Sequence, residues 1–202
     1  MPPTFPNALA RLPLAGSNFS WIFLDSDDRL GHGLHGPDFE SLLIQSVESK
    51  PEHEQAGPAS PVFQHVHEED LKQGPARMTV GQWGKIHFSG VFLQTAPGTV
   101  HCDIAARVRT AQAVPLASTY TVSRTSSNII SADESAIVLD VPELSQILRI
   151  TAGPGSRMVM AEAGRSALRV QILPSVLADT EASARTIQWS YTIELVNASD
   201  FV

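Results

Sequence analysis

The chain reads as an all-β protein, an antiparallel β-sandwich of the jelly-roll type with one short helix near residues 37–48. Three observations predict this. Thr186 to Val196, TIQWSYTIELV, alternates apolar Ile187, Trp189, Tyr191, Ile193 and Leu195 with polar Gln188, Ser190, Thr192 and Glu194, the period of a strand with one face in a core. Gly84 to Arg109 reads as a β-hairpin: Ile86, Phe88 and Val91 to Leu93 form one arm and Ala96-Pro97-Gly98-Thr99 the turn. In the other arm Val100, Cys102, Ile104, Ala106 and Val108 alternate with His101, Asp103, Arg107 and Arg109. The remaining β-prone runs are short, evenly spaced and joined by turn residues, and about eight such strands fit a jelly roll.

Taken in order, residues 1–17 are proline-rich and weakly periodic, which predicts an extended N-terminal arm, mobile or laid across a neighbouring surface, ahead of a single sandwich domain over 18–202; the competing reading is a disordered tail. Phe19 to Leu24 is a buried strand. It ends at the acidic cluster Asp25-Ser26-Asp27-Asp28, which fails as an EF-hand because Arg29 and Leu30 stand where a ligand and the glycine belong. Gly31 to Gly36, GHGLHG, reads as a flexible loop carrying His32 and His35. Phe39, Leu42, Leu43 and Val47 then recur at three- and four-residue spacing, the stripe of a short helix, although a strand over Leu42 to Val47 stays open.

Ser49 to Pro61 reads as an exposed loop. Gly90 interrupts the first hairpin strand, where a missing side chain marks a bulge or a close backbone approach. Strands follow over Ser118 to Arg124, Ser135 to Val141, Arg157 to Glu162 and Ala167 to Leu173, with a helical turn over Pro142 to Leu148. Gly153-Pro154-Gly155 is a turn between strands, with no following helix to make it a phosphate cradle.

Composition excludes several function classes. With 202 residues and 43% hydrophobic content the chain can bury a core of its own. The net charge of −7 comes from 21 acidic and 14 basic residues. The basic ones are scattered from Arg11 to Arg185 without a run, so no linear nucleic-acid grip or anionic-membrane anchor is evident, although a patch assembled in three dimensions stays open. No run of 18 apolar residues could span a bilayer. The first residues lack the apolar core of a secretion signal, and the expectation is synthesis in the cytoplasm with both Asn-X-Ser sequons unused. Cys102 is the only cysteine, so no internal disulfide forms, and its place among the apolar positions predicts a buried thiol. No cofactor motif is present.

All seven histidines fall at or before His101. His65-Val66-His67 would place two imidazoles on one face of a strand, as a metal pair needs. This HxH, with Glu69 and then Pro97-Gly98-Thr99-Val100-His101, resembles the cupin family over about forty residues and implies a metal site of His65, His67 and His101. Glu69 follows His67 too closely for that pattern, and no Asn follows His101 at the usual distance. The competing reading of residues 64–74 is a polar loop with solvated histidines.

The closing strand, TIQWSYTIELVN, resembles that of single jelly-roll coat proteins of viruses and phages. With the proline-rich N-terminus, this implies a non-enzymatic virion subunit. Its partners would be copies of itself as a homo-oligomer and other virion subunits, with no strong nucleic-acid contact and no membrane. The missing basic arm favours an outer or decorating subunit over a genome-contacting shell protein, or else an empty-shell geometry in which neutralisation comes from elsewhere, with the β-sandwich and the N-terminal arm making the contacts. That is the leading expectation, ahead of a cupin-like metal-dependent enzyme. The third reading is a carbohydrate- or receptor-binding sandwich whose stacking residue would be Trp83, a side chain that could equally anchor the foot of the hairpin.

Overall fold

A computed structural model describes residues 7–36, 42–48, 57–109, 116–123, 128–141, 145–162, 167–175 and 184–200. In chain order the strands are β1 (Ala8–Pro13), β2 (Ser20–Ser26), β3 (Arg29–His35), β4 (Ile44–Ser46), β5 (His65–Leu71), β6 (Gly74–Trp83), β7 (Ile86–Ala96) and β8 (Thr99–Val108). They continue with β9 (Ser118–Ser123), β10 (Asn128–Ala132), β11 (Ala136–Val141), β12 (Gln146–Ala152), β13 (Ser156–Glu162), β14 (Ala167–Pro174) and β15 (Arg185–Asn197). A seven-stranded sheet runs β1-β2-β3-β4-β9-β14-β13, and an eight-stranded sheet runs β10-β11-β12-β15-β8-β7-β6-β5. Their pairings are antiparallel, and the inner faces pack on each other as a sandwich, the predicted fold class.

The strand order is built from meanders. A jelly roll folds about eight strands into two Greek keys. Here the chain completes β1 to β4 in one sheet and β5 to β8 in the other before crossing back to β9. Strand β15 lies in the middle of its sheet between β12 and β8, so its alternation is the strongest in the chain. Ile187, Trp189, Tyr191, Ile193 and Leu195 are all buried. The hairpin of β7 and β8 turns at Pro97 and Gly98, as the sequence predicts. Gly90 marks a close approach: a Cβ there would stand 2.7 Å from Thr79 Oγ1 and 2.9 Å from the Phe63 ring.

Four expectations are corrected. The N-terminal arm over 1–17 is not free where it is described, because β1 pairs with β2 and Leu12 and Leu14 are fully buried. Residues 1–6 lie outside the described residues. The helix near 37–48 is replaced over Ile44–Ser46 by β4, whose partners β3 and β9 supply hydrogen bonds on both sides; residues 37–41 lie outside the described residues. GHGLHG is not a loop but most of β3, buried along its whole length. Of the loop expected exposed over Ser49 to Pro61, residues 57–61 run against the core, where Pro58, Ser60 and Pro61 are buried and Ser60 Oγ donates to the Thr119 carbonyl at 3.0 Å; residues 49–56 lie outside the described residues.

Two smaller differences have the same origin. Gln146–Ala152 forms β12 with Leu148 and Ile150 in the core, in place of a helical turn reaching Leu148; residues 142–144 lie outside the described residues. The polar stretch at 64–74 is largely strand β5, an exposed edge next to β6.

Candidate functional site

The outward face of the eight-stranded sheet carries the histidines that suggested a metal. His65 and His67 are exposed on β5, opposite Val80 and Met78 of β6. His101 stands half-buried on β8, where its Nδ1 shares a 3.1 Å hydrogen bond with Thr192 Oγ1 of β15. Strands β6 and β7 separate β5 from β8, so the pair and His101 lie three strand spacings apart, roughly 14 Å. Zinc needs its nitrogens at about 2.0 to 2.1 Å. The sheet order therefore does not bring His65, His67 and His101 together, which removes the cupin-like site. Trp83 is half-buried and packs against the core, the anchoring role of the two expected for it.

The polar groups that do converge are internal. His32 of β3 hydrogen-bonds through Nε2 to the Tyr120 hydroxyl of β9 at 2.9 Å, and that hydroxyl bonds in turn to Tyr191 of β15. The rings of Trp21, Phe23, Phe63, Phe92 and Tyr120 surround the imidazole, with centroids 5.1 to 5.9 Å away. Burial pushes the His32 pKa down to about 3, so it is neutral. Burial likewise raises the Tyr120 and Tyr191 phenols and the Cys102 thiol above their ordinary values. Cys102 stands opposite Tyr191 and is fully buried, the predicted state of this thiol. These neutral groups tie one sheet to the other. Trp189 adds a second tie, its Nε1 donating to Ser118 Oγ at 2.9 Å. With exposures of 0 to 1% for His32, Tyr120, Tyr191 and Cys102, no substrate reaches them in the folded protein.

Among the described residues, what the fold offers to a partner is the edge strands of its two sheets, and the four differ. β1 carries Arg11, ends in Pro13, and has its Arg11 carbonyl taken by the Arg77 guanidinium. β5 exposes Glu68, Glu69 and Asp70. β13 exposes Arg157. Charge and proline blunt an edge against pairing with another chain. β10, Asn128-Ile129-Ile130-Ser131-Ala132, carries neither. All five of its residues are exposed, and Ile129 and Ile130 stand open at 42% and 50%. A bulge between Ile129 and Ser131 interrupts its pairing with β11, so adjacent isoleucines become available together. Sequence reasoning passed over this stretch because two apolar residues between serines and asparagine make no period. The available signal was the uncharged Ile-Ile pair.

No protein-family model matches the chain, and no curated protein matches it. Among solved structures it is similar to a heparan sulfate lyase HepC mutant from Pedobacter heparinus, at 8% identity and a TM-score of 0.47, covering 96% of this chain and 37% of that one. It is similar also to a heparinase III gene product with methylated lysines, at 8% identity and a TM-score of 0.47, covering 98% and 37%. The chain spans little more than a third of the length of both. A likeness at this level carries nothing over about activity.

Proposed function

We propose that this chain is a structural β-sandwich subunit that works by associating with copies of itself, with β10 as the contact. What supports this reading is the contrast among the four edges, since among the described edge strands β10 alone offers adjacent exposed isoleucines and no charge of its own. An apolar edge with open backbone groups gains by pairing with a second strand. A two-fold axis would set β10 against itself, an isologous contact that closes on two copies. The bulge keeps that pairing short, which favours a discrete assembly over a growing fibre. A setting in a viral or phage particle, as coat or decoration protein, rests on the resemblance of the last strand alone.

Multi-angle light scattering across a concentration series tests the proposal. The expected result is a dimer or larger species that Ile130→Lys converts to monomer with an unchanged far-ultraviolet spectrum, while Val80→Lys on the open sheet face leaves the assembly intact. A concentration-independent monomer, or an assembly indifferent to Ile130→Lys, would overturn it.

A further inference from the structure

We infer that the outward face of the eight-stranded sheet holds a binding site for a small organic phosphate or related oxyanion ester, centred on Arg107 and His87. Strands β15, β8 and β7 lie side by side, and their outward positions place Thr186, Arg107 and His87 in one cross-strand row. The next row carries Ala105 on β8, Ser89 on β7 and Val80 on β6. Ala105 and Ser89 are too short to fill the space beside the guanidinium and the imidazole. The result is a groove of about 430 Å³ lined by Val80, His87, Ser89, Ala105, Arg107 and Thr186.

The electrostatics of this corner oppose those of the whole chain. Lys85, Arg107 and Arg109 are exposed at this end of the sheet, with the Arg109 amide bonded to the Lys85 carbonyl. Three of the 14 lysines and arginines thus stand here in a protein of net charge −7. Gly74 to His101 contains no acidic residue at all. The nearest acid along β8, Asp103, is four positions from Arg107, about 13 Å along a strand. Arg77 and Arg149 are paired with Glu68 and Glu194, whereas among the described residues Arg107 makes no ion pair. A guanidinium beside an imidazole is unfavourable when both are charged, unless an anion lies between them.

The donor set selects the ligand class. One guanidinium, one imidazole and the hydroxyls of Ser89 and Thr186 supply more donors than the two oxygens of a carboxylate use, and suit a tetrahedral oxyanion. The groove is larger than that ion. Its remaining wall includes Val80, 44% exposed, which fits an apolar body attached to the anion. The cationic side chains sit on the hairpin of β7 and β8, and Thr186 joins their row only through the pairing of β15 with β8.

The test uses the full chain and phenyl phosphate, followed by the imidazole resonances of His87. Saturable shifts are expected in the millimolar range, weakened at least tenfold by Arg107→Gln and unaffected by Arg149→Gln. Inorganic phosphate should bind several-fold more weakly than its phenyl ester, and phenol should not bind. Absence of saturation, or an affinity that Arg107→Gln leaves unchanged or Arg149→Gln lowers as much, would overturn the site. Inorganic phosphate binding as tightly as the ester would overturn the assignment to an organic ligand.

Discussion

The phenol oxygens of Tyr120 and Tyr191 are hydrogen-bonded to one another across the space between the two sheets. Tyr120 belongs to the seven-stranded sheet and Tyr191 to the eight-stranded one. Tyr120 also reaches His32, and Tyr191 also bonds to the Ser118 and Cys102 side chains. Both hydroxyls are therefore shared. Tyr120→Phe strips a partner from His32 and from Tyr191, and Tyr191→Phe strips one from Tyr120, Ser118 and Cys102. A buried polar group left unsatisfied costs about 1 to 3 kcal/mol. Each variant should accordingly lower the unfolding free energy by about 2 to 4 kcal/mol. Urea denaturation followed by tryptophan fluorescence measures both; no loss in either variant would mean that its hydroxyl is not part of the buried network.

His32 predicts how the protein meets acid. Its folded pKa is depressed to about 3 by burial, while the unfolded chain titrates near 6.5, its ordinary value. Between those values the unfolded state binds the proton and the folded state does not. The contribution is fully present above the unfolded pKa and is lost as pH falls toward the folded one, at about 1.4 kcal/mol per pH unit. Stability curves from neutral pH downward should fall less steeply in His32→Gln than in the parent. A second readout needs no variant: the His32 ring resonances of the folded protein should not move between about pH 7 and pH 5. Titration near 6.5 in the folded state would show that the imidazole is solvated.

The parts of this fold that could be read from sequence are those where packing on one face repeats at a regular interval. β15 and the hairpin of β7 and β8 sit in the middle of a sheet with one side in the core, so Trp189, Tyr191, Phe92 and Cys102 follow the two-residue period. β3 was not legible. It is buried on both faces, so polar alternation has no meaning there, and its glycines carry the signature of a loop although Gly33 serves close packing against β4. β5 hid behind its charges, which on an edge strand are protection against pairing and not a sign of a loop. The metal reading failed for a topological reason. Two histidines on one strand can be read from spacing, but whether a third lies on the neighbouring strand depends on sheet order, and here β6 and β7 intervene.

The glycines of β3 give a paired test of that account. A Cβ placed on Gly33 would stand 2.0 Å from the Ile44 carbonyl oxygen and 2.9 Å from Leu42 Cδ1. Those atoms belong to the segment that carries β4 alongside β3, with Gly33 opposite Gln45 and Leu34 opposite Ile44. Backbone cannot yield as a side-chain tip can, so Gly33→Ala must push β4 away from β3 and disturb its pairing with β9. Overpacking of this kind costs about 1 to 3 kcal/mol and occasionally more, and the expectation here is the upper part of that range. Gly31, two residues earlier on the same strand, differs. A Cβ there meets nothing closer than 3.7 Å, the Glu48 Cγ, which is ordinary contact. Gly31→Ala should be neutral or slightly stabilising, because alanine loses less backbone freedom on folding. Thermal unfolding of the two variants side by side decides it: a large drop for Gly33→Ala alone supports the close approach of β3 and β4, and equal behaviour of the two would mean that this stretch is the open loop its glycines suggest.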